Sequence, residues 1–250
     1  MYPKEINAAV LIKHKTPLSI KKILFKKPLK RGQILVKIFY SGVCGKQIDE
    51  INGIGEKDRF IPHCLGHEAS AIVIKIGPGV KKVNPGHKVI LHWIKGNGIN
   101  SSLPEYYEKG SLKKINAGWV TTFNDYAVVS ENRVTKLNRK INLKHAALFG
   151  CAVPTGVGTI LNYKKFTKGN DFIGIVGCGG VGLLMIEALK IANKKNIIAI
   201  DIKENALKLA KKCGAKSVIR FQNNSNYLKK VLKLTNNQGF DHLFVNTGNT

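Results

Sequence analysis

A glycine-rich turn between a strand and a helix constrains the fold of this chain more than any other feature. The apolar run Phe172–Val176 leads directly into the sequence GCGGVG at 177–182, and a helical pattern follows at once. In such a turn Gly177 permits the tight bend, Gly179 lets a pyrophosphate approach the backbone, and Gly182 allows close packing of helix and strand. The pattern alone also arises from packing, but a strand before it and a helix after it favour a dinucleotide site.

An acidic residue stands where such a site would hold a ribose. The next predicted strand ends at Asp201, 24 residues after Gly177. A carboxylate there can accept hydrogen bonds from the ribose hydroxyls and would repel a 2′-phosphate, which favours NAD over NADP. The alternative for Asp201 is a helix-capping or loop carboxylate, and the nearby Lys203 could tolerate an extra phosphate.

The local patterns divide the chain into two parts. From Ile34 to Trp93 short β-branched runs are bounded by glycine or proline, whereas from about Leu148 strands alternate with helices. We therefore predict an α/β chain with a mainly antiparallel β-domain at 1–147 and a partial, doubly wound parallel sheet at 148–250. The predicted strands are 34–40, 71–76, 88–93, 172–176, 196–200, 217–221 and 242–245, and the predicted helices are 181–193, 204–212 and 226–235. Residues 94–118, which are polar and poorly periodic, are predicted to form a long loop or lobe.

The composition constrains where the protein is located and what it can bind. The first seven residues include the charged Lys4 and Glu5, and the 250 residues contain no apolar run of membrane-spanning length, so we expect a cytoplasmic protein with no membrane partner. The five cysteines are too scattered for a disulfide framework. The net charge of +26 is carried by lysine pairs along the whole chain without interleaved aromatics. Such charge indicates a solvated surface or attraction of an anionic, sugar-like substrate, and only weakly a nucleic acid.

Three residues that zinc prefers as ligands occur next to glycines. They lie in the sequences GVCG around Cys44, GHE around His67 and GCAVPTG around Cys151. Two thiolates and one imidazole suit a catalytic zinc, which keeps one position open. Each residue alone has an ordinary interpretation as a buried or loop side chain. Their joint occurrence before a dinucleotide turn favours a metal site.

These segments together resemble the zinc-containing medium-chain alcohol and polyol dehydrogenases. The matching sequences are GVCG at 42–45, LGHEA at 65–69, GPGV at 77–80, PGHKV at 85–89, GCAVPTG at 150–156 and GCGGVG at 177–182 with Asp201. The resemblance implies a GroES-like domain beside a Rossmann domain, and hydride transfer between NAD(H) and an alcohol, polyol or sugar-like substrate. Zinc would act as a Lewis acid on the substrate oxygen.

The resemblance also assigns roles by position. Glu68 would be a transient ligand or a close neighbour of the metal, Thr155 would lie near the nicotinamide, and Trp93 would form a wall of the substrate pocket. The candidate metal ligands are therefore Cys44, His67, Glu68 and Cys151. The candidate catalytic residues are Lys46 and Glu68. The candidate cofactor-binding residues are Thr155, Gly177, Gly179, Gly180, Val181, Gly182, Asp201 and Lys203.

The chain departs from the family pattern near Cys44. Where relatives commonly have serine or threonine as a proton relay, this chain has Lys46, which either accepts the alcohol proton, binds an anionic substrate group or points to solvent. Where relatives usually have an aspartate that supports the histidine ligand, it has Gln47, so we expect the amide to accept from the imidazole and zinc to bind more weakly. Residues 94–118 lack the four cysteines of a structural zinc site, which predicts one zinc per chain.

The C-terminal end of the sequence suggests an alternative hypothesis about its function. The sequence stops soon after His242–Val245, the fourth predicted strand of the parallel sheet, which would then be an exposed edge, and this suggests a C-terminally truncated protein. The alternative to an active dehydrogenase is a non-catalytic zinc- and nucleotide-binding fragment. The resemblance implies a homo-oligomer, although the usual interface region is missing.

Overall fold

The chain consists of two compact units. The computed structural model describes residues 2–54, 59–138, 140–166, 170–222 and 226–247. Its contacts separate Met1–Cys151 from Ala152–Thr250. The boundary expected from the sequence, between 147 and 148, falls within the short 3-10 turn Ala147–Gly150 that precedes this division.

The first unit is built from two five-stranded antiparallel sheets. Its strands are β1 (Ile6–Leu11), β2 (Ser19–Phe25), β3 (Gln33–Ser41), β4 (His63–Cys64), β5 (Glu68–Ile76), β6 (Lys88–His92), β7 (Tyr106–Glu108), β8 (Lys114–Ile115), β9 (Tyr126–Ser130) and β10 (Val134–Lys136). One sheet has the order β4-β1-β2-β7-β8 and the other the order β10-β6-β5-β3-β9. Ile6 and Ile23 of the first sheet share a buried cluster with Leu35 and Val128 of the second, so the sheets enclose a common core.

Short helices complete the first unit. They are α1 (Gly45–Asn52), α2 (Leu143–Ala146) and the 3-10 turns Glu131–Arg133 and Ala147–Gly150. Helix α1 ends at Gly53, whose φ of 66° is the left-handed conformation that glycine adopts freely.

The structure places two short strands in the segment 94–118, for which the sequence predicted a long loop or lobe. This segment contains β7 and β8, and β7 extends the first sheet by pairing with β2. Tyr106 on β7 is fully buried, and its hydroxyl accepts a hydrogen bond of 2.7 Å from the backbone N–H of Val128. Two strands this short carry too few alternating residues to be recognised as strands from sequence.

The second unit is a parallel sheet with helices on both faces. Its strands are β11 (Phe172–Val176), β12 (Asn196–Asp201), β13 (Ser217–Arg220) and β14 (His242–Val245), in the order β13-β12-β11-β14. Its helices are α3 (Ala152–Asn162), α4 (Gly180–Ile191), α5 (Glu204–Cys213) and α6 (Tyr227–Leu234). The strands and helices expected here from the sequence are confirmed, with ends shifted by at most two residues.

Alternate side chains of strand β12 pack on opposite faces of this sheet. On β12, Ile197 and Ala199 pack in one buried cluster with residues of α4 and α5, whereas Ile198 and Ile200 pack in another with Val231 of α6. This arrangement is the Rossmann-like half of the predicted fold class, and the two antiparallel sheets are the GroES-like half. None of the helices in the described parts of the chain is long and apolar enough to cross a membrane.

Candidate metal and cofactor sites

Helix α1 holds Cys44 and Gln47 in a fixed relation. Cys44 is the residue immediately before the helix, with extended backbone angles (φ −108°, ψ 152°). The Gln47 side chain folds back, and its Oε1 accepts a hydrogen bond of 3.0 Å from the backbone N–H of Cys44. Gln47 is only 2% exposed, which is unusual for a glutamine. Its buried amide therefore caps the first turn of α1.

The other end of the same amide contacts His67. Gln47 Nε2 makes a short hydrogen bond with His67 Nδ1. We expected the amide to accept from the imidazole, but the amide oxygen is engaged by Cys44, so the nitrogen faces the ring instead. Gly66, before His67, has φ of 90°, and a Cβ there would lie 2.2 Å from Thr122 Oγ1. The backbone beside His67 is thus confined to glycine.

Glu68 connects His67 to the third candidate segment. It is the first residue of β5 and is 2% exposed. Its Oε2 accepts a hydrogen bond of 3.0 Å from the backbone N–H of Cys151. A Cβ on Gly42 would lie 2.3 Å from Glu68 Oε1, and one on Gly150 would lie 2.7 Å from Glu68 Cβ. The sequence identified Glu68 and placed both glycines in motifs beside candidate ligands, but it did not predict that they lie against the Glu68 side chain.

Gln47 and Glu68 therefore link the three segments that carry Cys44, His67 and Cys151. None of the five cysteines forms a disulfide. His67 Nε2 is buried and has no hydrogen-bond partner, and burial lowers the pKa of this imidazole. An unpartnered imidazole nitrogen and the thiols of the two linked segments are donor types that zinc binds. In the part of the chain that the structure describes, however, no three His, Cys, Asp or Glu side chains stand close enough to hold a metal ion together.

Other predicted residues of this site lie at the surface of the first unit. Lys46 is exposed in the first turn of α1, a turn that contains no acidic residue. The helix dipole disfavours a cation at the N-terminal end of a helix, so the charge of Lys46 does not stabilise α1. Trp93 is 55% exposed and Val43 is 72% exposed, which leaves apolar surface on the segments that follow β6 and precede α1.

The second unit contains a cavity of about 740 Å³ at the carboxyl ends of its central strands. Among its lining residues are the predicted Gly177, Gly179, Asp201 and Lys203. In open parallel sheets, ligands bind at this end of the strands, where the chain reverses its direction of winding. Sequence reasoning missed the other lining residues, which are Val176, Cys178, Ile200, Ile202, Ala206, Phe221 and Thr247.

The glycines of the turn have distinct environments. Gly177 has φ of 87°, and a Cβ on Gly182 would lie 2.0 Å from the Gly177 carbonyl oxygen, so α4 approaches the turn too closely for a side chain. No atom lies within 4 Å of a Cβ built on Gly179. This open space lies directly before the first turn of α4, which Gly180, Val181 and Gly182 form. Free backbone N–H groups at such a helix start can bind a phosphate.

Asp201 bridges the glycine turn and the loop after β12. Its Oδ2 accepts from the backbone N–H of Cys178 and its Oδ1 from that of Lys203, both at 2.7 Å. Each carboxylate oxygen can accept a second hydrogen bond, so the group can still bind hydroxyls. Cys178 is buried, and burial together with the Asp201 charge raises the pKa of its thiol to about 12. Thr155 lies on α3, where its side chain is exposed, and it is not among the described residues that line the cavity.

Comparisons with known proteins agree with this architecture. Residues 30–139 match the alcohol dehydrogenase GroES-like domain, and residues 180–250 match the zinc-binding dehydrogenase domain. The S-(hydroxymethyl)glutathione dehydrogenases of Escherichia coli O1:K1 and of Shigella sonnei are both 29% identical to this chain. Each match covers 97% of this chain and 71% of the relative.

Solved structures show the same fold. Benzyl alcohol dehydrogenase from Acinetobacter calcoaceticus superposes with a TM-score of 0.82 at 26% identity, covering 98% of this chain and 71% of that one. An alcohol dehydrogenase zinc-binding domain protein from Burkholderia ambifaria gives a TM-score of 0.83 at 23% identity over the same shares of the two chains. With both domain matches, the sequence relatives and the fold in agreement, the chain belongs to the family of zinc-type medium-chain alcohol dehydrogenases.

Proposed function

We propose that this chain is a zinc- and NAD-dependent oxidoreductase that transfers a hydride between NAD(H) and an alcohol, polyol or sugar-like substrate. The observation that carries the proposal is the pair of buried side chains, Gln47 and Glu68, that link the segments of Cys44, His67 and Cys151. Buried polar side chains are retained where their hydrogen bonds hold a specific geometry. Here the hydrogen bonds join the segments that carry three residues of zinc-binding type.

In this proposal one zinc ion is held by Cys44, His67 and Cys151. The ligand atom of the histidine is Nε2, because Nδ1 is engaged by Gln47. Glu68 acts as a transient ligand or as the group that fixes the Cys151 backbone, through the hydrogen bond already present. When bound, the zinc ion supplies Lewis acidity at the substrate oxygen.

The dinucleotide is proposed to occupy the cavity of the second unit. The open space at Gly179 and the first turn of α4, formed by Gly180, Val181 and Gly182, would hold the pyrophosphate. The Asp201 carboxylate would accept from the ribose hydroxyls and, by its charge, favour NAD over NADP. Lys203 lines the same cavity, and Thr155 is proposed to lie near the nicotinamide. When bound, NAD supplies the hydride acceptor.

Lys46 is proposed to act on the substrate side of the metal. It lies two residues after Cys44, and its side chain is exposed. An amine there can accept the proton that an alcohol loses, or bind an anionic substituent of the substrate. The charge of +26 supports an anionic, sugar-like substrate, because a basic surface attracts anions. The relatives are named for S-(hydroxymethyl)glutathione and benzyl alcohol, which leaves a wide choice of alcohols.

Metal analysis of the purified chain, combined with NAD reduction across a panel of alcohols, polyols and phosphorylated sugars, tests the proposal. We expect one zinc per chain, lost in Cys44→Ser and in His67→Ala but retained in the control Cys213→Ser, since Cys213 lies in the second unit on α5. Absence of zinc from the wild-type chain would contradict the metal assignment. Nucleotide binding without NADH formation on any substrate would favour the non-catalytic alternative.

A further inference from the structure

The carboxyl end of β13 carries a cation that adjoins Asp201. Arg220 is the last residue of β13, and Asp201 is its register partner on β12. Two residues earlier, the register partners Val218 and Ala199 pack in one cluster with residues of α4 and α5. Because side chains alternate between the two faces along a strand, Arg220 and Asp201 lie on that same face of the sheet.

The guanidinium of Arg220 contacts the loop that follows β12. Its Nε donates a hydrogen bond of 3.3 Å to the carbonyl oxygen of Ile202, and the side chain is exposed. Among the described residues, no hydrogen bond or ion pair engages its two Nη nitrogens. Ile202 lines the cavity of the second unit, as do Lys203, which follows it, and Phe221, which follows Arg220. Arg220 therefore stands beside the cavity wall with its Nη donors free to bind a ligand.

The charges at this end of the cavity do not simply oppose a 2′-phosphate. Both oxygens of Asp201 already accept backbone N–H groups, those of Cys178 and Lys203, at 2.7 Å. Lys203 and Arg220 supply two positive charges, and neither takes part in any ion pair found among the described residues. Glu204, the next acidic residue along the chain, is not among the described residues that line the cavity. One carboxylate, already hydrogen-bonded twice, is thus flanked by two unpaired cations.

We propose that the cavity of the second unit binds NADP(H) as well as NAD(H), because Arg220 and Lys203 pair with the 2′-phosphate that the Asp201 charge alone would repel. A guanidinium suits this role, since its planar fork binds phosphate oxygens in pairs. The inference rests on the proposed function, because it takes the cavity as the dinucleotide site. It makes Arg220 a residue that determines cofactor specificity.

The first measurement compares nucleotides that differ only by the 2′-phosphate. NADPH is compared with NADH by fluorescence titration, and adenosine 2′,5′-bisphosphate is compared with 5′-AMP by calorimetry. Because two cations offset one carboxylate, we expect the 2′-phosphate to weaken binding by no more than about tenfold in each pair. A larger loss would overturn the inference and leave the proposed function intact. Failure of all these nucleotides to bind would overturn both.

The second measurement removes the guanidinium. We expect Arg220→Gln to weaken NADPH binding about tenfold, the effect of losing one charged hydrogen bond, and to change NADH binding less than about twofold. The control Lys216→Gln removes the same charge directly before β13, at its other end, where the Nζ of Lys216 donates to Asn196 Oδ1, and should change neither affinity. An equal loss in both variants, or an equal loss for both nucleotides in Arg220→Gln, would contradict the proposal.

Salt provides a test that a purely structural role of Arg220 would fail. Because the two cations are exposed, raising the salt from about 0.05 M to about 0.5 M should weaken NADPH binding more steeply than NADH binding. In Arg220→Gln the two salt dependences should approach each other, whereas in Arg220→Lys, which keeps the charge, they should stay different. The same salt dependence for both nucleotides in the wild type would refute the pairing with a 2′-phosphate.

Discussion

The carboxylate of Glu68 occupies the position that a side chain on Gly42 would need. A Cβ on residue 42 would lie 2.3 Å from Oε1 and 2.6 Å from Cδ of Glu68. Glu68 is buried, and a Cβ on Gly150 would likewise lie only 2.7 Å from the Glu68 Cβ. The absence of side chains at the two glycines therefore leaves the space in which the Glu68 carboxylate accepts from the Cys151 N–H.

Replacing Gly42 should lower both the stability of the first unit and its metal binding. We expect Gly42→Ala to destabilise the first unit by about 1–3 kcal/mol, the range for overpacking a filled interior, and to lower zinc content by displacing Glu68. The control is Gly45→Ala, because no atom lies within 4 Å of a Cβ there and alanine favours the first turn of α1. Urea unfolding followed by tryptophan fluorescence measures the effect, since both tryptophans, Trp93 and Trp119, lie in the first unit. Equal stability of the two variants would refute the steric argument.

Two glycines of the dinucleotide turn should respond differently to alanine. A Cβ on Gly182 would lie 2.0 Å from the Gly177 carbonyl oxygen, so Gly182→Ala has to separate α4 from β11 and should destabilise the second unit by about 2 kcal/mol or more. Gly179→Ala meets no atom of the protein and should leave stability nearly unchanged while weakening NADH binding. Calorimetry and NADH fluorescence titration measure the two effects. If Gly179→Ala lost stability but bound NADH with unchanged affinity, Gly179 would be a packing residue and not a cofactor-binding one.

Cofactor preference should depend on the charge of Asp201. Asp201→Asn removes the negative charge that opposes a 2′-phosphate and leaves only one acceptor oxygen for the Cys178 and Lys203 N–H groups. We expect the ratio of NADPH to NADH affinity to rise about tenfold, the effect of losing one charged hydrogen bond. The matched control is Asp241→Asn, whose carboxylate accepts from the Phe172 N–H at the opposite end of β11. A similar change in both variants would show that net charge alone decides the preference.

Lys46 offers a test on the substrate side. We expect Lys46→Ser to change the pH dependence of turnover, because a hydroxyl would relay the alcohol proton in place of an amine. If Lys46 instead binds an anionic substituent, KM for phosphorylated substrates should rise while KM for neutral alcohols stays constant. Lys190→Ser, on α4 in the second unit, controls for the loss of one surface charge. Unchanged kinetics with all substrates would assign Lys46 to the solvated surface.

The sequence was sufficient for the parallel half of the fold and insufficient for parts of the β-rich half. Strand β11 and the glycine turn were recognised because a β-branched run, a turn with four glycines and an apolar helix follow one another without interruption. Helix α1 was missed because it starts after a cysteine instead of a usual capping residue and contains few apolar side chains. Strands β7 and β8 were missed because tertiary pairing, and not local pattern, makes them strands.

The candidate ligands could be named from the sequence, but the hydrogen bonds and close contacts that hold their segments together could not. Gln47 was noted as a departure from the family pattern. The direction of its hydrogen bonds became clear only when the Cys44 N–H was found on its other end. Such a relation depends on which groups are buried together, and that follows from the fold of the whole unit. The roles of Gly42 and Gly150 depend in the same way on where Glu68 lies.

Acid sensitivity of the first unit should depend on Glu131. This residue is 2% exposed, and its carboxylate accepts from the backbone N–H groups of Lys81, Lys82 and Ile99 at 2.7, 2.9 and 2.8 Å. Burial by itself raises the pKa of this carboxyl, but the three N–H groups and the Lys82 charge outweigh it, and the net pKa lies below its ordinary value of 4.5. A carboxyl with a lowered folded pKa stabilises the protein above its unfolded pKa, and this stabilisation is lost as the pH falls through the folded value.

Glu131→Gln should therefore lower the free energy of unfolding at pH 7 by about 1–3 kcal/mol, because an amide nitrogen would face N–H donors. The difference between wild type and variant should shrink as the pH falls below 4.5, since the protonated wild-type carboxyl also presents a donor. The exposed Glu204, on α5, provides the control Glu204→Gln for loss of a carboxylate as such. Hydrogen exchange at the Ile99 amide gives a local readout, because its acceptor is Glu131 Oε2. A pH-independent difference between wild type and Glu131→Gln would mean that the side chain contributes by packing and not by its charge.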